Sequence, residues 1–165
     1  MQQLFRDLGV QQIVSGGQTM NPSTEDILHA AEQVPAMDVY VLPNNKNIVM
    51  AAEQAARLAR TSGVRRIHVV PTTTIPQGIS AMMAYDESAE IKDNVEAMQE
   101  AASRVQSGSV TFAARDSDYD GHQIKEGELL ALENGKVAFT GTDLGSVTAK
   151  VAKDLMQEDS QFITL

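Results

Sequence analysis

Three times before Ala84 the chain repeats one unit: a short apolar run, a polar loop, then a stretch with helical spacing. Residues 11–15 (Gln-Gln-Ile-Val-Ser) lead into Gly16-Gly-Gln-Thr-Met20. Residues 38–42 (Asp-Val-Tyr-Val-Leu) lead into Pro43-Asn-Asn-Lys-Asn47, and 66–70 (Arg-Ile-His-Val-Val) into Pro71-Thr-Thr-Thr-Ile-Pro76. Strand, loop and helix in that order argue for parallel strands, because a parallel neighbour can be reached only through a long crossover and that crossover is right-handed. The run 38–42 is almost continuously apolar, the pattern of a strand covered on both faces. After the first loop Asn21 reads as an N-cap, with Pro22 at the first helical position and Glu25 and Asp26 in the first turn. The second helix, about 47–60, carries Ile48, Ala52, Ala55 and Ala59 on one stripe, and a short one is expected over 77–84. Twenty alanines and no tryptophan suit helices lying close on a sheet.

Beyond Tyr85 the pattern changes. Residues 88–106 have Ile91, Val95, Met98, Ala102 and Val105 at alternating steps of four and three, an amphipathic helix with an acidic outer face. A fourth strand is expected over 108–114, and short antiparallel strands over 122–140. Asn134-Gly135 forms the hairpin there, since both residues tolerate positive φ. A helix over 143–157, with Leu144, Val147, Val151 and Leu155 inward, precedes a last apolar strand pattern, Gln161-Phe-Ile-Thr-Leu165. The expected fold is therefore α/β: a mostly parallel sheet with flanking helices plus a small antiparallel hairpin element. No linker, low-complexity tract or fixed-period repeat divides it, so 1–165 reads as a single α/β domain. A strand pattern at the very end suggests a fragment of something larger, with apolar surface that a homodimer could cover.

Composition narrows the function classes. Of 165 residues, 42% are hydrophobic and 21% charged, which is globular rather than disordered. No cysteine is present, excluding disulfides, thiolate zinc sites and a Cys nucleophile. A net charge of −9 makes the chain a poor nucleic-acid or anionic-membrane binder. No apolar run approaches the roughly 20 residues of a membrane span, and residues 1–7 lack the basic-then-apolar order of a secretion signal. The expectation is a soluble, cytoplasmic protein.

Ligands of an open parallel sheet bind beyond the carboxyl ends of its strands. The candidate binding residues are accordingly Gly16, Gly17, Gln18 and Thr19 in the first loop, Asn44 and Asn45 in the second, and Thr72, Thr73, Thr74 and Gln77 in the third. Backbone amides, hydroxyls and carboxamides in front of helix N-termini suit an anion such as phosphate or carboxylate. The competing reading is turn and capping chemistry, which the same residue types perform in any α/β protein. No G-x-G-x-x-G or Walker motif is present. His29, His68 and His122 are scattered, and they read as packing or surface residues. Asp116, Asp118 and Asp120 resemble the start of a calcium loop, but Gly127 stands where its glutamate would be needed. No catalytic set and no metal site follow from spacing.

Gly16-Gly-Gln-Thr-Met-Asn-Pro-Ser-Thr-Glu-Asp26, Leu42-Pro-Asn-Asn-Lys-Asn-Ile48 and Val70-Pro-Thr-Thr-Thr-Ile-Pro-Gln-Gly78 resemble the C-terminal region of bacterial dihydroxyacetone-kinase-like proteins, in particular fatty acid kinase A subunits. Val110-Thr-Phe-Ala-Ala-Arg-Asp116, Asp120-Gly121 and Ile124-Lys-Glu-Gly-Glu128 extend the resemblance over essentially the whole chain. The resemblance implies a fold similar to DegV-like proteins and to the substrate-binding subunit of dihydroxyacetone kinase. It implies a parent protein whose separate kinase domain holds ATP and Mg and phosphorylates a fatty-acid carboxylate carried by an acyl-binding DegV-like partner. This region would then be non-catalytic and without a cofactor of its own, docking that partner for its own kinase domain. The alternative is a small-molecule domain that takes a phosphate, carboxylate or acyl group at the three loops.

Overall fold

The computed structural model describes residues 1–16, 21–119, 122–158, 160 and 163. The chain divides into two compact units, Met1–Val105 and Gln106–Leu165. In the first, α1 (Gln2–Asp7) and α2 (Thr24–Glu32) precede β1 (Asp38–Val41), α3 (Lys46–Ser62), β2 (Arg66–Val69), α4 (Ile75–Met83) and α5 (Ile91–Ser103). β1 and β2 pair in parallel, with Asp38 opposite Arg66 and Val41 opposite Val69. Alternation along the two strands sends side chains to two separate apolar clusters. Val39, Val41, Ile67 and Val69 meet Ile27 and Ala31 of α2 and Ala52, Ala55 and Ala59 of α3. Tyr40, Leu42 and Val70 meet Ala81 and Met82 of α4 and Met98 and Ala102 of α5. Both faces of the pair are thus covered, as the apolar run 38–42 requires.

Helix starts follow local chemistry. The cap of α2 is Ser23, not Asn21, because Ser23 can form a reciprocal box. Its hydroxyl accepts from the Asp26 N–H, while the Asp26 carboxylate takes the Ser23 N–H. Helix α1 was not legible in the sequence: it buries no residue, so no apolar stripe announces it.

Two expectations need correction. Residues 11–15 form no strand. A five-residue run with only Ile13 and Val14 apolar becomes a strand only through a ladder, and here it makes none. The sheet is also not mostly parallel. Among the described residues the parallel ladder is β1 with β2 alone, and the chain is mixed α/β with small sheets.

The second unit is built from β3 (Gly108–Phe112), β4 (Ser117–Tyr119), β5 (His122–Ile124), β6 (Leu129–Glu133), β7 (Lys136–Gly141) and α6 (Leu144–Leu155). β6 pairs antiparallel with both β3 and β7, and β4 with β5. Strand β3, expected to extend the sheet of the first unit, therefore belongs to an antiparallel one. The β6–β7 turn is the expected Asn134-Gly135, both with positive φ (50° and 80°). Val147 and Val151 of α6 pack on Leu129 and Ala131. The approach is close: a Cβ on Gly141 would sit 2.4 Å from a Val147 methyl. Apart from Ile163, the strand expected over 161–165 lies outside the described residues. Among those residues no helix is long and apolar enough to cross a membrane.

Candidate functional site

Because β1 and β2 are parallel, the loops that follow them leave from the same end of the pair. The Thr72 hydroxyl ties them together by donating to the Pro43 carbonyl. Thr72 is completely buried. Asn45 caps α3, its side-chain oxygen accepting from the Asn47 N–H at 2.9 Å. Thr74 caps α4, its hydroxyl accepting from the Gln77 N–H at 3.3 Å. The N–H and hydroxyl of Thr73 donate to the Gln77 side-chain oxygen at 2.7 and 3.0 Å. Thus Thr72 to Thr74 and Gln77 are engaged in tying and starting structure, the chemistry that competed with ligand binding in the sequence.

A cleft of about 750 Å³ opens in the first unit, and Gly16, Asn44 and Asn45 all line it. Its walls are largely apolar, with Phe5, Val10, Ile13, Ile27, Val39 and Met98 among them. Gly17, Gln18 and Thr19 lie outside the described residues. Of the ten candidate residues, three are brought together at this cleft and four form the third-loop scaffold beside the second.

Sequence reasoning missed a polar cluster at the other end of the strands. Asp38 heads β1 and accepts from Arg66 Nε and from His68 Nε2, each at 2.8 Å. Hydrogen bonds from Arg66 and then His68 hold the Asp38 carboxyl far below the usual carboxylate range. Tyr40 stands beside His68 and edge-on to Tyr85, each pair of ring centres 5.6 Å apart. The available signal was an Asp heading one strand and an Arg heading the next, which a parallel register sets side by side. Asn94, a polar residue on the same face of α5 as Met98 and Ala102, is buried with them. It accepts from the Asp86 N–H at 2.9 Å and donates to the Asp86 carbonyl at 2.6 Å, fixing the turn before α5.

Among the described residues no three His, Asp or Glu side chains gather to hold a metal ion.

Fold and cleft together define a mixed α/β module with a largely apolar slot lined by the loop that follows β1. The chain belongs to the family of fatty acid kinase A-subunit-like C-terminal regions, whose match spans residues 1–165. It is 44% identical over 163 residues to an uncharacterized protein of Staphylococcus epidermidis and 44% identical to one of Staphylococcus haemolyticus. To an uncharacterized protein of Staphylococcus aureus it is 40% identical. In each case 99% of this chain is covered but only 29% of the relative, so the chain spans under a third of the relatives it matches. The resemblance read from the loop motifs is thereby established.

Proposed function

We propose that this chain is a non-catalytic recognition region of a fatty-acid-kinase-like protein, docking an acyl-binding DegV-like partner for a kinase domain elsewhere in the parent protein. The observation that carries the reading is the match of all 165 residues to the C-terminal family of fatty acid kinase A subunits. The sequence adds support, because it has no glycine-rich phosphate cradle with a lysine beside it. On this reading ATP and Mg serve the separate kinase domain, and the chain works in the cytoplasm.

A second reading is favoured by the cleft: an apolar slot with carboxamides of Asn44 and Asn45 on its lining has the composition of a small-molecule site. One set of calorimetric titrations separates the two. The intact chain is titrated with the fatty-acid-loaded partner, free fatty acid, phosphate and Mg-ATP. Binding of the loaded partner alone is expected. Tight binding of free fatty acid or phosphate would favour the second reading, and micromolar ATP affinity or Mg-dependent turnover would sink both.

A further inference from the structure

The tip of the β6–β7 hairpin places a reactive amide beside a free backbone nitrogen. Glu133 pairs with Lys136, so the loop is Asn134 and Gly135 alone, and both are exposed. A Cβ on Gly135 would meet nothing within 4 Å, and among the described residues its N–H donates to no acceptor. The Asn134 carboxamide, in contrast, is engaged at both ends. Its oxygen accepts from the Ser107 N–H at 3.0 Å, and its nitrogen donates to the Gln106 side-chain oxygen at 2.7 Å. The Asn134 N–H donates to the Ser107 carbonyl, also at 2.7 Å. All three distances are those of good hydrogen bonds. They brace Asn134 against the segment that enters β3, with its carboxamide turned toward residues 106 and 107. The turn itself needs only residues that accept positive φ, so this brace is an addition to it.

We propose that Asn134 is a site of spontaneous deamidation whose rate is set by the brace from Gln106 and Ser107. Asparagine is among the thermolabile residues, and a following glycine leaves the attacking nitrogen uncrowded. Hydroxide takes the proton of the Gly135 N–H, and the nitrogen then bonds to Asn134 Cγ. The Cγ–Nδ2 bond breaks, and Nδ2 leaves as ammonia with a proton from water. Water next opens the resulting succinimide at either carbonyl, giving aspartate or isoaspartate, and nothing is oxidised or reduced. Attack requires the carboxamide to swing away from Gln106 and Ser107, over its own backbone, to the Gly135 nitrogen. The folded rate therefore follows how often the tip opens. The two products act differently. Aspartate sets a carboxylate oxygen against the Gln106 oxygen, two acceptors that cannot bond until Gln106 turns its amide over. Isoaspartate routes the backbone through the side chain and lengthens a loop whose length fixes the β6–β7 register.

Incubation of the intact chain at mildly alkaline pH, folded and in urea, tests this. Mass spectrometry follows amide-to-acid conversion in the peptide that holds Asn134, chromatography separates its isoaspartyl form, and released ammonia is measured. Conversion at Asn134 is expected to run at least ~10-fold faster in urea than in the folded chain, because an opening step precedes attack in the fold. Gln106→Ala, with its fold checked by circular dichroism, should raise the folded rate several-fold and leave the rate in urea unchanged. Gln106→Glu keeps an acceptor for Nδ2 and should stay close to the parent. Equal rates folded and in urea would overturn the proposal, as would a folded Gln106→Ala rate equal to the parent's. A glutamate variant as fast as the alanine one would overturn the role of the brace. Absence of conversion from both the folded parent and folded Gln106→Ala would overturn the site itself.

Discussion

Replacing Thr72 by valine asks whether the third loop binds or builds. The hydroxyl of this wholly buried residue donates to the carbonyl of Pro43, itself buried, across the gap between the two post-strand loops. Valine keeps the branched shape but leaves that carbonyl without its donor. An unsatisfied buried group costs about 1–3 kcal/mol. Thr72→Ser keeps the donor and loses one methyl, worth about 0.8 kcal/mol. Urea unfolding followed by far-ultraviolet circular dichroism reads the difference. With a slope of roughly 2 kcal/mol per molar, Thr72→Val should lower the midpoint by roughly 0.5–1.5 M with the slope unchanged. Thr72→Ser should lower it less. A valine variant with the parent's midpoint, or a serine variant as unstable as the valine one, would refute the tie between the loops.

Asn45→Ala removes the cap of α3 and should cost about 0.5–2 kcal/mol in the same unfolding assay; unchanged stability would return Asn45 to the ligand-binding group. Asp38 titrates far lower when folded than when unfolded. Its contribution is therefore complete above the unfolded carboxylate's pKa near 4 and is lost as pH falls toward the depressed folded value. Asp38→Asn should lower stability at pH 7 and flatten the decline of stability below about pH 4, measured by urea midpoints across pH. Gly135→Ala strains a turn residue at φ 80° and should cost about 1 kcal/mol, seen as a lower melting temperature.

Much of the fold was legible because its signals are local. The Asn134-Gly135 turn, the alanine stripe of α3 and the stepped apolar residues of α5 each depend on a few neighbouring residues. The family was legible for a related reason: its motifs sit in three short loops. What failed depended on partners distant in sequence. Residues 11–15 look like a strand, but a strand exists only through a ladder with another, and among the described residues they make none. Residues 108–112 look as ready for a parallel sheet as for the antiparallel one they join, because the strand pattern carries no direction.

The candidate site divides in the same way. From the sequence alone came the residue types at the loop edge, the absence of thiols and the acidic balance, all of which are properties of composition and order. Only the tertiary structure shows which of those side chains already have partners inside the fold. Thr72, Thr73, Thr74 and Gln77 carry the same donors and acceptors whether they cradle an anion or hold a helix start. Burial of Thr72 against Pro43 and the bonds between Thr73 and Gln77 show these groups holding the loop and the helix start, a use that depends on contacts between residues and not on their types. Asp38, Arg66 and His68 make the opposite case. Separated in the chain, they form one cluster solely because parallel pairing sets residue 38 beside residue 66.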